Sequence, residues 1–271
     1  MKYIFLILLI VISNKNLCFG QQKTEYLYKI LYEMEYRLDS TSSVFTKERT
    51  ELVYQDGISF FWLSKNVFRD TAHLEKVDID VRATMANQHF RISKDHNHNR
   101  IKYYDIINGL AGETYSYEEN KDSQQWTIMN ETDSINGFLC QKASLSFGNR
   151  LWEAWFAPDI LIHDGPYKFC NLPGLIVRVE DVSNTWRFNL IEIKKEAKRE
   201  LKIGITNLFV QAKPIEKEKF YKEKRHFIDN SIQIQEAQGL LVFPNQNIRK
   251  IAYDRTKENA LKNNNWIELY P

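Results

Sequence analysis

Between Tyr26 and Leu38 the even positions read Tyr, Tyr, Ile, Tyr, Met, Tyr, Leu, whereas Glu25, Lys29, Glu33, Glu35 and Arg37 occupy odd ones. A period of two sends alternate side chains to opposite faces of a pleated strand. A strand this long, with an aromatic dry face and a charged wet one, belongs in an antiparallel sheet packed on one side. That requirement constrains everything after it.

The rest of the chain supplies partners. "ELVYQDGISFFWL" holds the Asp56-Gly57 turn signal between two β-prone runs and predicts a hairpin. "HFRISKDHNHNRIKYYDII" repeats the pattern with a longer polar turn, and "QQWTIM", "GFLCQKASLSF", "RLWEAWF", "LIVRVED" and "TWRFNLIEIKK" are further strands. Helical spacing occurs in three places. Thr71, Leu74, Val81 and Met85 mark the first, between Asn66 and Asn87. Phe220, Tyr221, Lys224, Phe227 and Ile228 mark the second, after Pro214, and Ile248, Ile251, Arg255 and Leu261 the third. The expected fold is α+β and mainly antiparallel β: one long curved sheet or open barrel, with two to three helices covering its concave side. A ligand site would lie between sheet and helices.

The N-terminus has the layout of a cleaved export signal. Lys2 precedes nine apolar residues, Ile4 to Ile12, and Gly20 stands before Gln21-Gln22. The run is too short to span a bilayer. Leu17 before Cys18 is a poor lipidation context, so residues 1–20 are expected to be removed, leaving 21–271 as a single domain. Removing Lys2 and Lys15 from 37 basic residues leaves 35, equal to the 35 acidic ones. A balanced chain lacks the basic surplus of a nucleic-acid binder. Export predicts the periplasm, the outer membrane's surface or the medium. Two cysteines remain, Cys140 and Cys170. An oxidising compartment permits a bridge, worth about 3 to 4 kcal/mol for a loop of this length, and two buried thiols are the alternative.

The stretch "GPYKFCNLPGLIVRVED", residues 165–181, concentrates residues with restricted roles. Gly165-Pro166 and Leu172-Pro173-Gly174 are turn signals, and Asn171 tolerates the left-handed backbone. Leu175 and Ile176 begin a strand. On backbone grounds the stretch is a fixed corner between two strands, with Tyr167 to Phe169 as a short extended piece.

Those residues also resemble a known signature. Gly165-Pro166-Tyr167-Lys168-Phe169, Leu172-Pro173-Gly174-Leu175-Ile176 and Asp181 look like the motif of the GLPGLI family of exported bacterial proteins. "CQKASLSFGNRLWEAWFAPDI" upstream is similar to that family's Cys-Gln-Lys-Ala and Trp-x-Ala-Trp segments, and "NNNWIELYP" is a looser form of its ending. Asn171 departs from the first glycine of the motif, and Leu161 stands where many members have proline. The resemblance implies export and fold, and it implies no reaction.

Motifs that carry chemistry are scarce in the sequence. His-Glu-x-x-His, Gly-x-Ser-x-Gly, Walker, Cys-x-x-Cys and Gly-x-Gly-x-x-Gly patterns are all missing from the sequence. His96 and His98 read as a solvated hairpin tip rather than metal ligands. His163 and Asp164 form the one His-acid pair beside the corner. Trp155, Tyr167, Lys168 and Phe169 are the candidate ligand contacts, and Trp152 and Trp155 must point to opposite faces of one strand. No cofactor or metal is expected. The leading expectation is a non-enzymatic envelope protein that binds an apolar small molecule or a partner protein and does not span the membrane. An envelope hydrolase with a dispersed site, and a module that docks through a strand edge, are the alternatives.

Overall fold

The computed structural model describes residues 26–64, 89–107, 113–198 and 211–270. The expected export segment (1–20) and the first expected helix (66–87) lie outside them. Twelve strands form one sheet: β1 Tyr26–Tyr36, β2 Thr46–Gln55, β3 Ile58–Leu63, β4 Arg91–Asp95, β5 Arg100–Ile107, β6 Glu113–Asn120, β7 Thr127–Ile135, β8 Phe138–Phe147, β9 Arg150–Ala157, β10 Leu175–Asp181, β11 Trp186–Ala197 and β12 Lys213–Pro214. Helices α1 (Lys217–Ala237) and α2 (Gln246–Lys262) follow. Asp56 (φ 52°) and Gly57 (φ 77°) form the β2–β3 turn, both in the left-handed region that this two-residue hairpin requires.

The strand order is β12-β6-β5-β4-β3-β2-β1-β11-β10-β9-β8-β7. It comprises two antiparallel meanders, β1–β6 and β7–β11, joined where β1 pairs with β11. The short β12 lies parallel to β6. Among the described residues no hydrogen bonds close the sheet, which is open rather than a barrel. It is nonetheless strongly curved, for a reason visible in its connectivity. Strands β6 and β7 stand ten places apart, which would separate them by about 48 Å in a flat sheet. Only residues 121–126 join them, and so short a segment reaches about 25 Å at full extension. The sheet must therefore curl until its edges approach.

The concave side is filled, and the expected filling is corrected. Helices were expected to plug it; instead the 158–174 connection between β9 and β10 does so. Asp164 through Cys170 are buried without interruption. Phe169 packs on Trp152, Phe147 and Phe188, and Tyr167 on Phe90 and Tyr103. Helix α1 meets the sheet through its N-terminal part, where Phe220 and Tyr221 are buried, Lys224 reaches Asp105 of β5 at 2.7 Å and Phe227 packs against the core. From Lys222 to Asn259 no residue is buried. The helices thus form a hairpin standing off the sheet. Its apolar positions Ile248, Ile251 and Leu261, which sequence spacing assigns to a packed face, are exposed. No helix among the described residues is long and apolar enough to cross a membrane.

Candidate functional site

The expected corner is an inner hairpin. Asp164 and Cys170 form an isolated antiparallel bridge, and Phe169 N–H donates to the Pro166 carbonyl at 3.1 Å, so Gly165 to Phe169 turn back inside the sheet. Tyr167 has φ 53°, a left-handed turn residue where a short extended piece was expected. Asn171 has φ 73°, and its side-chain amide donates to the Lys121 carbonyl at 2.7 Å. At Gly174 (φ 158°) a Cβ would lie 2.2 Å from the Ala157 carbonyl oxygen, so close backbone approach is what excludes a side chain there. Gly165 is similar: a Cβ would meet Ile176 at 2.8 Å.

Two lysine ammonium groups are enclosed by this hairpin. Lys94 of β4 is fully buried and reaches Asp164 Oδ1 at 2.5 Å, the Gly165 carbonyl at 2.6 Å and the Tyr167 carbonyl at 3.0 Å. His96 Nε2 lies 2.9 Å from the other Asp164 oxygen. Burial pushes the Asp164 carboxyl up, but the Lys94 ammonium and His96 outweigh it and hold it well below the usual range.

Lys168, also fully buried, has three N–H donors and three partners: Tyr117 Oη at 2.9 Å, Glu268 Oε1 at 2.5 Å and Glu119. Lys217 at the start of α1 bonds the same two carboxylates, reaching Glu268 Oε2 at 2.7 Å. Tyr167 Oη donates to Glu268 Oε1 at 2.6 Å. The Tyr103 and Tyr117 rings lie 4.9 and 4.7 Å from the Lys168 ammonium. Burial favours the neutral Glu268 acid, yet the Lys168 and Lys217 charges prevail and bring it down to about 2. Two cations and two anions therefore neutralise one another in a space walled by phenols. Burial holds the Tyr103, Tyr117 and Tyr167 hydroxyls far above their ordinary titration range.

Near the open seam, Gln124 and Trp126 bond the hairpin's backbone. Gln124 donates to the Lys168 carbonyl at 2.8 Å and accepts from Cys170 N–H at 3.0 Å, while Trp126 Nε1 donates to the Cys170 carbonyl at 2.7 Å. The hairpin consequently seals the gap between β6 and β7. Glu268 arrives beside it because Leu269 N–H bonds the Gly148 carbonyl at 2.8 Å and Arg150 holds the Trp266 carbonyl, Asn265 and Asp181.

Of the four candidate ligand contacts, Tyr167, Lys168 and Phe169 come together with no exposed surface. Trp155 does not join them. It is half-buried on the other face of β9, with Lys142 5.9 Å from its ring. Cys140 and Cys170 are free buried thiols, and burial pushes the Cys170 thiol up to about 12. His163 is exposed while Asp164 faces inward to Lys94 and His96, so the adjacent pair does not act together. His98 pairs with Asp95 at 2.8 Å, away from Asp164. No cluster of three metal-ligating side chains occurs among the described residues.

Sequence reading missed Lys94, Glu119, Lys217 and Glu268. Parity would have found two of them. Lys94 shares its alternation with Phe90 and Ile92, and Glu119 with Tyr115 and Tyr117, whereas Glu268 lies on an irregular segment with no such pattern. A charge at a dry-face position is a buried charge awaiting a partner.

No family model matches the chain, and no curated protein does. Among solved structures, PNGF-II in two crystal forms superposes with a TM-score of 0.52 and 14% identity over 73% of this chain. The likeness is one of fold alone. This chain spans about a third of PNGF-II, 32% and 33% in the two forms. A domain assigned to outer membrane lipoprotein sorting in Vibrio parahaemolyticus aligns at 8% identity over 65% of this chain and 88% of its own, with a TM-score of 0.30 too low to bear on function.

Proposed function

We propose that the chain is an exported envelope protein of the GLPGLI type, with residues 21–271 as one domain, that binds a partner at its surface without catalysing a reaction. The observation that supports this reading is the filled concave face. Asp164 to Cys170 occupy the space where an apolar ligand would sit, and every donor of Lys168 is already bonded. A groove of about 390 Å³ lies elsewhere, between α1 and α2, lined by Asp229, Gln233, Tyr253 and Leu261 among others. The binding expectation is thereby narrowed from a small apolar ligand towards a macromolecular surface.

Native mass spectrometry of the protein recovered from its own envelope tests this. The expected result is the mass of the chain alone. A retained adduct of a few hundred daltons would make the protein a carrier and overturn the surface reading. A second reading, docking by strand addition, is favoured by β7. It ends the sheet, and nearly all its side chains are exposed. Its register shift between Ile128 and Thr132 and its acidic Glu131 and Asp133 are features that blunt an edge. Hydrogen exchange protection of Thr132 to Ile135 upon adding envelope extract would promote this reading over the first.

A further inference from the structure

The two-helix hairpin changes character along its length. Its base, Lys217 to Asp229, carries Lys217, Glu218, Lys219, Lys222, Glu223, Lys224, Arg225 and Asp229. From Asn230 through Ala252 the charged residues are Glu236, Arg249 and Lys250. Two of these cancel: Arg249 Nε and Nη2 hold the Glu236 carboxylate at 2.7 and 3.0 Å. Lys250 is exposed and carries no ion pair among the described residues.

Between the helices runs Leu240-Leu241-Val242-Phe243-Pro244, five apolar residues in succession. Val242 is 82% and Leu240 57% exposed, and Leu241 and Phe243 are only half-buried. Ile248 and Ile251, one turn apart at the start of α2, add exposed apolar surface. The 11 residues from Ile228 to Gln238 carry this tip about 17 Å of chain path beyond Phe227, which packs on the core, across a break in helical geometry at Asn230. Soluble monomers rarely expose contiguous apolar surface of this kind without a use for it.

We propose that this tip, Leu240 to Phe243 with Ile248 and Ile251, seats in the interfacial region of a bilayer containing anionic lipid. Shape and charge both choose the occupant. The tip protrudes, so its complement is a deformable plane rather than a groove, and the acidic Glu236 is neutralised. The unpaired cation is Lys250, and α2 continues with exposed Arg255 and Lys257 behind it, against Asp254 and Glu258. Apolar residues inserted at headgroup depth with cations alongside are the components of interfacial binding. The chain would lie on the membrane without crossing it. The inference deepens the envelope reading, since an exported chain remains beside such a surface.

Co-sedimentation of the purified mature chain with vesicles of phosphatidylethanolamine and phosphatidylglycerol provides the test. The wild type should pellet with them, and Val242→Asp/Phe243→Asp should lower the bound fraction at least tenfold. Lys250→Glu should weaken binding several-fold on vesicles with phosphatidylglycerol and little on vesicles without it. Leu139→Asp, at an exposed apolar site on β8, should bind as the wild type does. Unchanged urea midpoints for the tip variants would show that folding is intact.

A wild type that stays in the supernatant, or tip variants that pellet as well as it does, overturns the proposal. Should the purified chain ignore vesicles while a photocrosslinker at residue 242 captures one discrete envelope protein in cells, the tip serves a protein partner and the lipid assignment is wrong. Cell fractionation separates this from the underlying reading. A chain found in the cytosol rejects the envelope reading, whereas the vesicle result with pure protein stands independently.

Discussion

The inner hairpin at Asp164–Cys170 and the helical hairpin at Lys222–Asn259 spend their residues in opposite ways. The first places a lysine, an aspartate and two aromatic rings at zero exposure and satisfies each charge by several partners. The second is more than five times longer, contains long apolar side chains, and buries none of them. One region has exchanged solvent for contacts at every position. The other keeps surface available. Buried charge and aromatic packing thus meet in the seventeen-residue connection 158–174, whereas the helical hairpin leaves its surface open to solvent.

The largest expected effect is at Lys168. Lys168→Met leaves Glu268 and Glu119 facing Lys217 alone inside the protein, and removing one partner of a buried ion pair costs about 3 to 5 kcal/mol. Urea unfolding at neutral pH measures it. Adding Glu268→Leu to that variant should restore part of the loss, and a loss that instead doubles would mean the two side chains act separately.

Acid should act next. Glu268 titrates near 2 in the folded chain and near 4.5 in the unfolded one, so its contribution is complete above about pH 4.5 and disappears as pH falls towards 2. Asp164, held down by Lys94 and His96, acts in the same direction. The loss from Glu268 is on the order of 2 to 3 kcal/mol. Unfolding midpoints measured across that window should fall steeply in the wild type and more gently in Glu268→Gln, which is already weakened at pH 7.

Gly174→Val should destabilise by about 1 to 3 kcal/mol through overpacking against the Ala157 carbonyl. A smaller value would show that the β9 end yields. Asn171→Gly trades the bond to the Lys121 carbonyl for a residue at ease with φ 73°. A net change of about 1 kcal/mol or less is expected, because the two effects oppose. At the other extreme, Val242→Ser in the helical tip should shift the urea midpoint by no more than about 0.5 kcal/mol in free energy. A large loss there would abolish the contrast between the two hairpins.

The architecture was readable where periodicity is strong. Alternation over Tyr26–Leu38 gives β1, the Asp56-Gly57 pair gives its turn, and helical spacing gives α1 and α2. Strand β6, Glu113–Asn120, escaped because Thr114-Tyr115-Ser116-Tyr117 has weak polarity contrast, although Asn108-Gly109 and Gly112 before it are turn signals. The candidate site was half legible. Unusual backbone residues pointed to 165–176, but turn chemistry is the same whether a loop lies outside a sheet or folds into it. What distinguishes the two cases is the inward-facing charge on other strands, Lys94 and Glu119, together with Glu268 some hundred residues away from Lys168. Pairings at such separation leave no local trace.

The seam between the two meanders has a consequence in time. Tyr26 pairs with Ala197, so the first described strand acquires its second neighbour about 170 residues later in the chain. Local hairpins can form early, but the central seam waits for loop closure over most of the chain, which makes folding slow and late. Throughout that interval the tyrosine-rich face of β1 is uncovered. Such a chain remains pliable for longer than its length alone would suggest, and until it is complete it depends on whatever keeps exposed strands from meeting those of another copy.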